Sequence, residues 1–198
     1  MPKNTFQNLS PEKKCKIFEA AVQEFSSRSF SEASINQIVK TAQIPRGSFY
    51  QYFEDKQDVY LFMCAEIARE KQQLIAGMEP LDPNASALDE FLYKTKVSLE
   101  LGKRRPEYRR ISMLMEKDES DFITGLRALS TQDLKRVTEL FERDRQRGLI
   151  RPDVDCGLVI EMVYTLTMKE YFRAGMDSEL FSRRMQEIIR IIWEGIAL

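Results

Sequence analysis

Apolar residues return every three or four positions along almost the whole chain, and no stretch alternates strictly, so the pattern predicts helix after helix and no sheet. The first stripe is Ile17, Phe18, Ala21, Val22 and Phe25. It follows Ser10-Pro11-Glu12, which offers a capping hydroxyl, a proline suited to the first turn and an acid facing the helix dipole. Ser34-Ile35-Asn36-Gln37 has the spacing of a capping box and predicts a short second helix with Ile35, Ile38, Val39 and Ala42 inward. Pro45 restricts Ile44 and ends that helix. A third helix is expected from about Arg46 to Phe53. Asp55 caps a fourth, which carries Val59, Phe62, Met63 and Ile67 and runs to about Leu74.

Pro80 and Pro83, between Gly77 and Asn84, interrupt the pattern and mark a linker. Periodicity resumes at Leu88, Phe91, Leu92, Thr95 and Leu99, and Pro106 opens a segment with Tyr108, Ile111 and Met115. One long helix is read from about Ser120, closed by Gly148 as a left-handed cap. Two final helices carry Leu158, Val159, Met162, Leu166 and Phe172, then Phe181, Met185, Ile188, Ile189, Ile192, Trp193 and Ile196. The expectation is an all-α chain of about nine helices. Residues 1–55 form a head, a helix over about 56–75 links it onward, and residues 76–198 form a second domain.

Composition narrows the chemistry. The 198 residues are 43% hydrophobic and 31% charged, enough to fill a core and cover a surface. Histidine is absent, which removes histidine-based triads, metal ligands and pH switches together. With no paired cysteines, no Gly-rich phosphate loop and no HExxH-type motif, the sequence implies no enzyme, no catalytic residue, no metal site and no cofactor. Cys15, Cys64 and Cys156 are scattered and odd in number, as expected of buried, inert thiols in a reducing compartment. Neither a signal peptide nor a membrane span is read, so the expected location is cytoplasmic.

The net charge of −1 does not announce nucleic acid, so local geometry has to decide. The short second helix, tight turn and short third helix have the proportions of a helix-turn-helix, in which one helix braces the phosphates and the next enters the major groove. In Arg46-Gly47-Ser48-Phe49-Tyr50-Gln51-Tyr52-Phe53, Phe49 and Phe53 face the core, leaving Arg46, Ser48, Tyr50, Gln51 and Tyr52 outside or at the edge. Gly47 costs the helix about 1 kcal/mol relative to Ala, a cost that makes sense where a backbone approaches a sugar-phosphate strand. Arg46 suits guanine and Gln51 adenine, while Ser48, Tyr50 and Tyr52 suit phosphate or a thymine methyl. Lys13, Lys14 and Lys16 read as a solvated face.

From Lys14 to about Met63 the sequence resembles the TetR family of transcriptional regulators. The resemblance rests on Ala20-Ala21 with Phe25, on Ser34-Ile35 with Ile38, and above all on Gly47-Ser48-Phe49-Tyr50, Tyr52-Phe53 and Lys56. It implies a homodimer whose heads read a palindrome and whose C-terminal helical domain binds an inducer. It also implies DNA-contacting roles for Ser34, Arg46, Gly47, Ser48, Tyr50, Tyr52 and Lys56, the last as a phosphate ligand at a helix N-terminus. Gln51 falls at a variable position of the family, and its role as a base reader follows from chemistry alone. Pro45 stands where many relatives have Ser.

The broad apolar arc of the last two helices, about 155–175 and 178–196, exceeds what one core needs and predicts a self-complementary four-helix dimer face. Met113, Met115, Phe122, Phe141, Met162, Tyr164, Met168 and Phe172 read first as core and second as the wall of an apolar ligand cavity. The expected function is a ligand-responsive regulator, most simply a repressor, that binds double-stranded DNA at a palindromic operator and answers to a largely apolar effector. The competing reading, a helical adaptor without DNA binding, leaves Gly47 and the Tyr50/Tyr52 pair unexplained.

Overall fold

The computed structural model describes residues 2–129, 131–174 and 177–198, and the side chains among them except those of 129, 131–135, 174 and 178. Its described elements are helices: α1 Asn4–Gln7, α2 Pro11–Ser27, α3 Ile35–Thr41, α4 Arg46–Tyr52, α5 Lys56–Ala76, α6 Ala87–Arg104, α7 Pro106–Lys117, α8 Asp121–Leu129, α9 Thr131–Gln146, α10 Cys156–Ala174 and α11 Ser178–Ile196. One isolated antiparallel bridge joins Ile150 and Ala197. The all-α expectation holds, with eleven helices rather than about nine. The extra turn α1 carries no periodic signal because it is only four residues long. Where the periodicity predicts one long helix from about Ser120, the structure has α8 and α9, and residue 130 between them lies outside the described residues.

Local chemistry sets the boundaries. The Ser10 hydroxyl accepts the Lys13 N–H at 3.3 Å and Pro11 stands at the first position of α2. Asp55 and Asp177 cap α5 and α11 with their carboxylates. At the end of α9, Gly148 adopts φ 73°. The Gly148 and Leu149 N–H groups donate back to Arg145 and Asp144, each at 3.0 Å, a Schellman closure that needs a left-handed residue where a side chain would be strained.

The helices fall into two compact units, one of Met1–Gly77 with Arg104–Leu126, the other of Met78–Lys103 with Arg127–Leu198. In the first, Ile17, Phe25, Ile38, Phe49, Phe53, Val59 and Met63 are fully buried. Each such side chain contributes about 1.5–3 kcal/mol of apolar burial. Helix α7 packs along α2. Arg105 donates to Glu19 at 2.8 Å, the Tyr108 hydroxyl donates to Glu70 at 2.8 Å, and Phe122 lies 4.5 Å from Phe30 between ring centres. Phe122 is therefore a head residue, not part of a C-terminal core.

The second unit is built on Leu88, Phe141, Ile150, Val163, Phe181, Met185 and Ile189. Of its buried charges, Asp144 accepts the Ala87 N–H at 2.6 Å and is flanked by Arg143 at 2.9 Å and Arg147 at 3.4 Å, and Glu170 pairs with Arg184 at 3.0 Å. A fully buried carboxylate is tolerable only with such partners. Met162 and Tyr164, read from the sequence as core, instead stand on the surface of α10, 44% and 51% exposed. Of the three thiols only Cys156 is buried, Cys64 is half-buried and Cys15 is exposed, because Cys15 falls off the apolar stripe of α2. Among the described residues no helix is long and apolar enough to cross a membrane.

Candidate nucleic-acid interface

The turn between α3 and α4 is a second Schellman closure. The Gln43 N–H donates to Lys40 at 3.2 Å and the Ile44 N–H to Val39 at 3.1 Å. Gln43 has φ 55°, the left-handed conformation that glycine usually supplies. The buried Ile44 and Val39 supply the apolar contact that accompanies the motif, and Pro45 then starts α4. The sequence placed the break correctly at Gln43–Pro45, but the left-handed residue has no compositional signal.

Phe49 on α4 and Phe53 at its C-cap are 0% exposed, and the opposite edge of α4 faces outward. Arg46, Gly47, Tyr50 and Gln51 are exposed and Ser48 is half-buried. A side chain at Gly47 would meet nothing within 4 Å, so the protein itself does not require glycine there. Tyr52 departs from the expected outer edge. It is only 6% exposed and packs edge-on against Phe6 with centroids 6.2 Å apart.

Ser34 is the N-cap of α3, but its hydroxyl caps no backbone N–H. The capping box expected from Gln37 is absent because the Ser34 N–H donates instead to Glu24 of α2 at 2.8 Å. Lys56 turns back from the start of α5. Its Nζ donates to the carbonyls of Ser31 at 3.2 Å and Ala33 at 2.9 Å, and lies 4.7 Å above the Phe30 ring. Burial pushes the Lys56 ammonium below its ordinary pKa, opposed by the charges of Asp118 and Glu24. Asp118, after α7, accepts the Ser31 N–H at 2.8 Å and the Ser120 N–H at 2.9 Å. Burial alone would raise its pKa, but the hydrogen bonds from Ser120 and Ser31 outweigh that and bring it to about 2.

Three charged side chains, from α2, from α5 and from the turn after α7, thus hold backbone polar groups of residues 31–34 that the loop does not pair internally. Sequence reading missed Glu24 and Asp118. Glu24 had a signal, since it lies three residues after Ala21 and seven after Ile17 on the buried row of α2. Asp118 had none, because it meets Ser31 across 87 residues.

The family model described as bacterial regulatory proteins, tetR family, matches residues 17–62, from the first turns of α2 into α5. Over these residues the chain is similar to the TetR family. The matched stretch contains every candidate DNA-contacting residue of the head, Ser34, Arg46, Gly47, Ser48, Tyr50, Gln51, Tyr52 and Lys56. Among relatives, an uncharacterized HTH-type transcriptional regulator, YdgC, from Bacillus subtilis is 39% identical over 67 residues, 34% of this chain and 34% of that protein. The transcriptional regulator AcuR from Cereibacter sphaeroides is 24% identical over 151 residues, 73% of this chain and 68% of AcuR. The crystal structure of a TetR family regulator from Chloroflexus aurantiacus superposes with a TM-score of 0.73 at 23% identity, covering 100% of this chain and 99% of that one. The TetR fold therefore extends over the whole chain, whereas the sequence likeness to YdgC spans about a third of YdgC's length.

Proposed function

We propose that this chain is a TetR-family repressor that binds a palindromic operator as a homodimer and is released by a small, largely apolar effector. The observation that carries the reading is the outer edge of α4, where Arg46, Gly47, Tyr50 and Gln51 stand exposed on a helix whose other side is core. An exposed Gly47 with open space around it lowers helix stability for no internal reason and suits close approach of a sugar-phosphate strand. Arg46 and Gln51 read bases, Ser34, Ser48 and Tyr50 meet phosphates or groove edges, and Lys56 offers its remaining donor to a phosphate. Tyr52 supports the surface from within, through its ring.

Leu158, Met162 and Tyr164 of α10 and Ile191 of α11 are 44–56% exposed. These large apolar groups on adjacent helices favour pairing of α10 and α11 with their copies across a two-fold axis. Such a dimer sets two reading helices about one turn of DNA, ~34 Å, apart or a multiple of it. For the effector, a groove of about 480 Å³ in the second unit has an apolar wall of Leu88, Leu92, Leu149, Ile189 and Trp193 and an about equal polar rim that includes Asp89, Arg147 and Arg190, a size that small ligands occupy. Release follows if the effector favours a head spacing that fits the operator poorly.

The test is selection of bound duplexes from a random pool, followed by titrations of Lys56→Ala and Gln51→Ala at several salt concentrations. Lys56→Ala weakens binding to all sequences and flattens the salt dependence, whereas Gln51→Ala relaxes preference at one base pair. Failure to enrich any sequence, with salt-independent binding, favours the adaptor reading instead.

A further inference from the structure

The three carbonyls that end α4 without a helical partner are each taken by the segment of residues 3–7. In a seven-residue helix the Phe49 carbonyl accepts the Phe53 N–H at 2.8 Å, leaving those of Tyr50, Gln51 and Tyr52 unsatisfied by the helix itself. The Lys3 ammonium donates to Tyr50 O at 3.0 Å, the Thr5 hydroxyl donates to Gln51 O, and the Lys3 N–H donates to Tyr52 O at 2.8 Å. The Lys3 ammonium also pairs with Glu54 at 2.8 Å, so a cation is fixed where the helix dipole is negative.

The segment is itself anchored. Phe6 is 2% exposed, with its ring 5.1 Å from Phe53 and 4.8 Å from Phe62. Lys14 donates to Gln7 O at 2.8 Å and lies 5.8 Å over the Phe6 ring, while Lys13 lies 5.6 Å over Tyr52. Helices shorter than ~12–15 residues do not hold their geometry alone. The orientation of α4 therefore depends on such ties, and these ones grip the backbone of the two residues, Tyr50 and Gln51, that face the groove.

We infer that residues 3–7 are a positioning clamp for the reading helix, with Lys3 and Thr5 setting how Tyr50 and Gln51 are presented to a base pair. The inference rests on the DNA-binding reading for its consequence, but the clamp itself can be measured without DNA. In the full-length protein, Lys3→Ala and Thr5→Val speed amide hydrogen exchange at Tyr52 and Phe53 by about tenfold, while exchange at Val59 in α5 is unchanged. On a selected operator, discrimination against a duplex altered at the Gln51 contact falls by about tenfold, with the salt slope of the parent. Lys3→Arg, which keeps a cationic donor, restores both.

A slope lowered by about 0.9 for each Lys3 removed would mark Lys3 as a phosphate ligand and overturn the clamp. Unchanged exchange overturns it as well, and faster exchange with intact discrimination reduces the segment to a stabiliser. If Lys3→Ala unfolds the head, Thr5→Val, which removes one hydroxyl, carries the same comparison. If the parent binds no duplex, the repressor reading fails, and the exchange measurement alone then decides whether residues 3–7 hold α4.

Discussion

Replacing Asp118 by Asn tests the electrostatics of the head at a single site. The carboxylate is 3% exposed and accepts two backbone N–H groups, from Ser31 and Ser120. Hydrogen bonds to a charged acceptor are worth about 1.5–3 kcal/mol each, so the pair alone would exceed the net effect. Burial of the charge opposes them. The balance is visible in the pKa, which falls from an ordinary 3.8 to about 2 and corresponds to ~2 kcal/mol of stability held by the ionised form. A carboxyl depressed on folding gives its full contribution above the unfolded pKa and loses it as pH falls towards the folded one. Urea denaturation at pH 7 should place Asp118→Asn about 2 kcal/mol below the parent, and the gap should narrow between pH 5 and pH 2. Titration of other carboxyls is common to both proteins and cancels in the difference. Equal stability at pH 7, or a gap that stays constant down to pH 2, would refute the assignment of Asp118 as the ionised anchor of Ser31.

Two further substitutions probe the helix-turn-helix. Gly47→Ala meets open space in the protein and should raise the stability of the head by about 0.5–1 kcal/mol in thermal or urea melts. The same variant should bind a selected operator at least tenfold more weakly by fluorescence anisotropy, and retained affinity would show that no strand approaches that backbone. Gln43→Gly relieves a left-handed backbone at φ 55° and should stabilise by up to about 1 kcal/mol, measured by the same melts; a loss of stability would mean that the Gln43 side chain carries a contact that outweighs its strain.

Much of the head was legible because its information is local and periodic. Phe49 and Phe53, four apart, declared the buried side of α4, and a proline plus a turn signal placed the break before it. What was not legible arises where partners are remote in sequence. Tyr52 sits among polar neighbours and reads as an edge residue until Phe6, from a turn too short to show a period, covers it. The capping box failed for a similar reason. The sequence offered Gln37 three residues after Ser34, yet Glu24 on the neighbouring helix already holds the Ser34 N–H at 2.8 Å, and one donor needs one acceptor. The stretch 104–126 follows the linker in the chain, but joins the same compact unit as residues 1–77, since Tyr108, Asp118 and Phe122 find their partners there.

These remote contacts have one physical cause. Two helices of seven residues each cannot fix their own axes, and an outward edge suited to DNA cannot also be packed against protein. The stabilising groups must therefore act on the ends and connections of α3 and α4. Lys56, Asp118 and Glu24 take the backbone of 31–34 at the start of α3, and Lys3 and Thr5 take the carbonyls at the end of α4. Four of these five side chains are charged, and a charge is the group that binds a backbone dipole most strongly. Hydrophobic periodicity registers burial and is blind to such pairings. For a motif of this kind, lone charges near helix ends and on apolar rows are the sequence feature that marks how the reading surface is held.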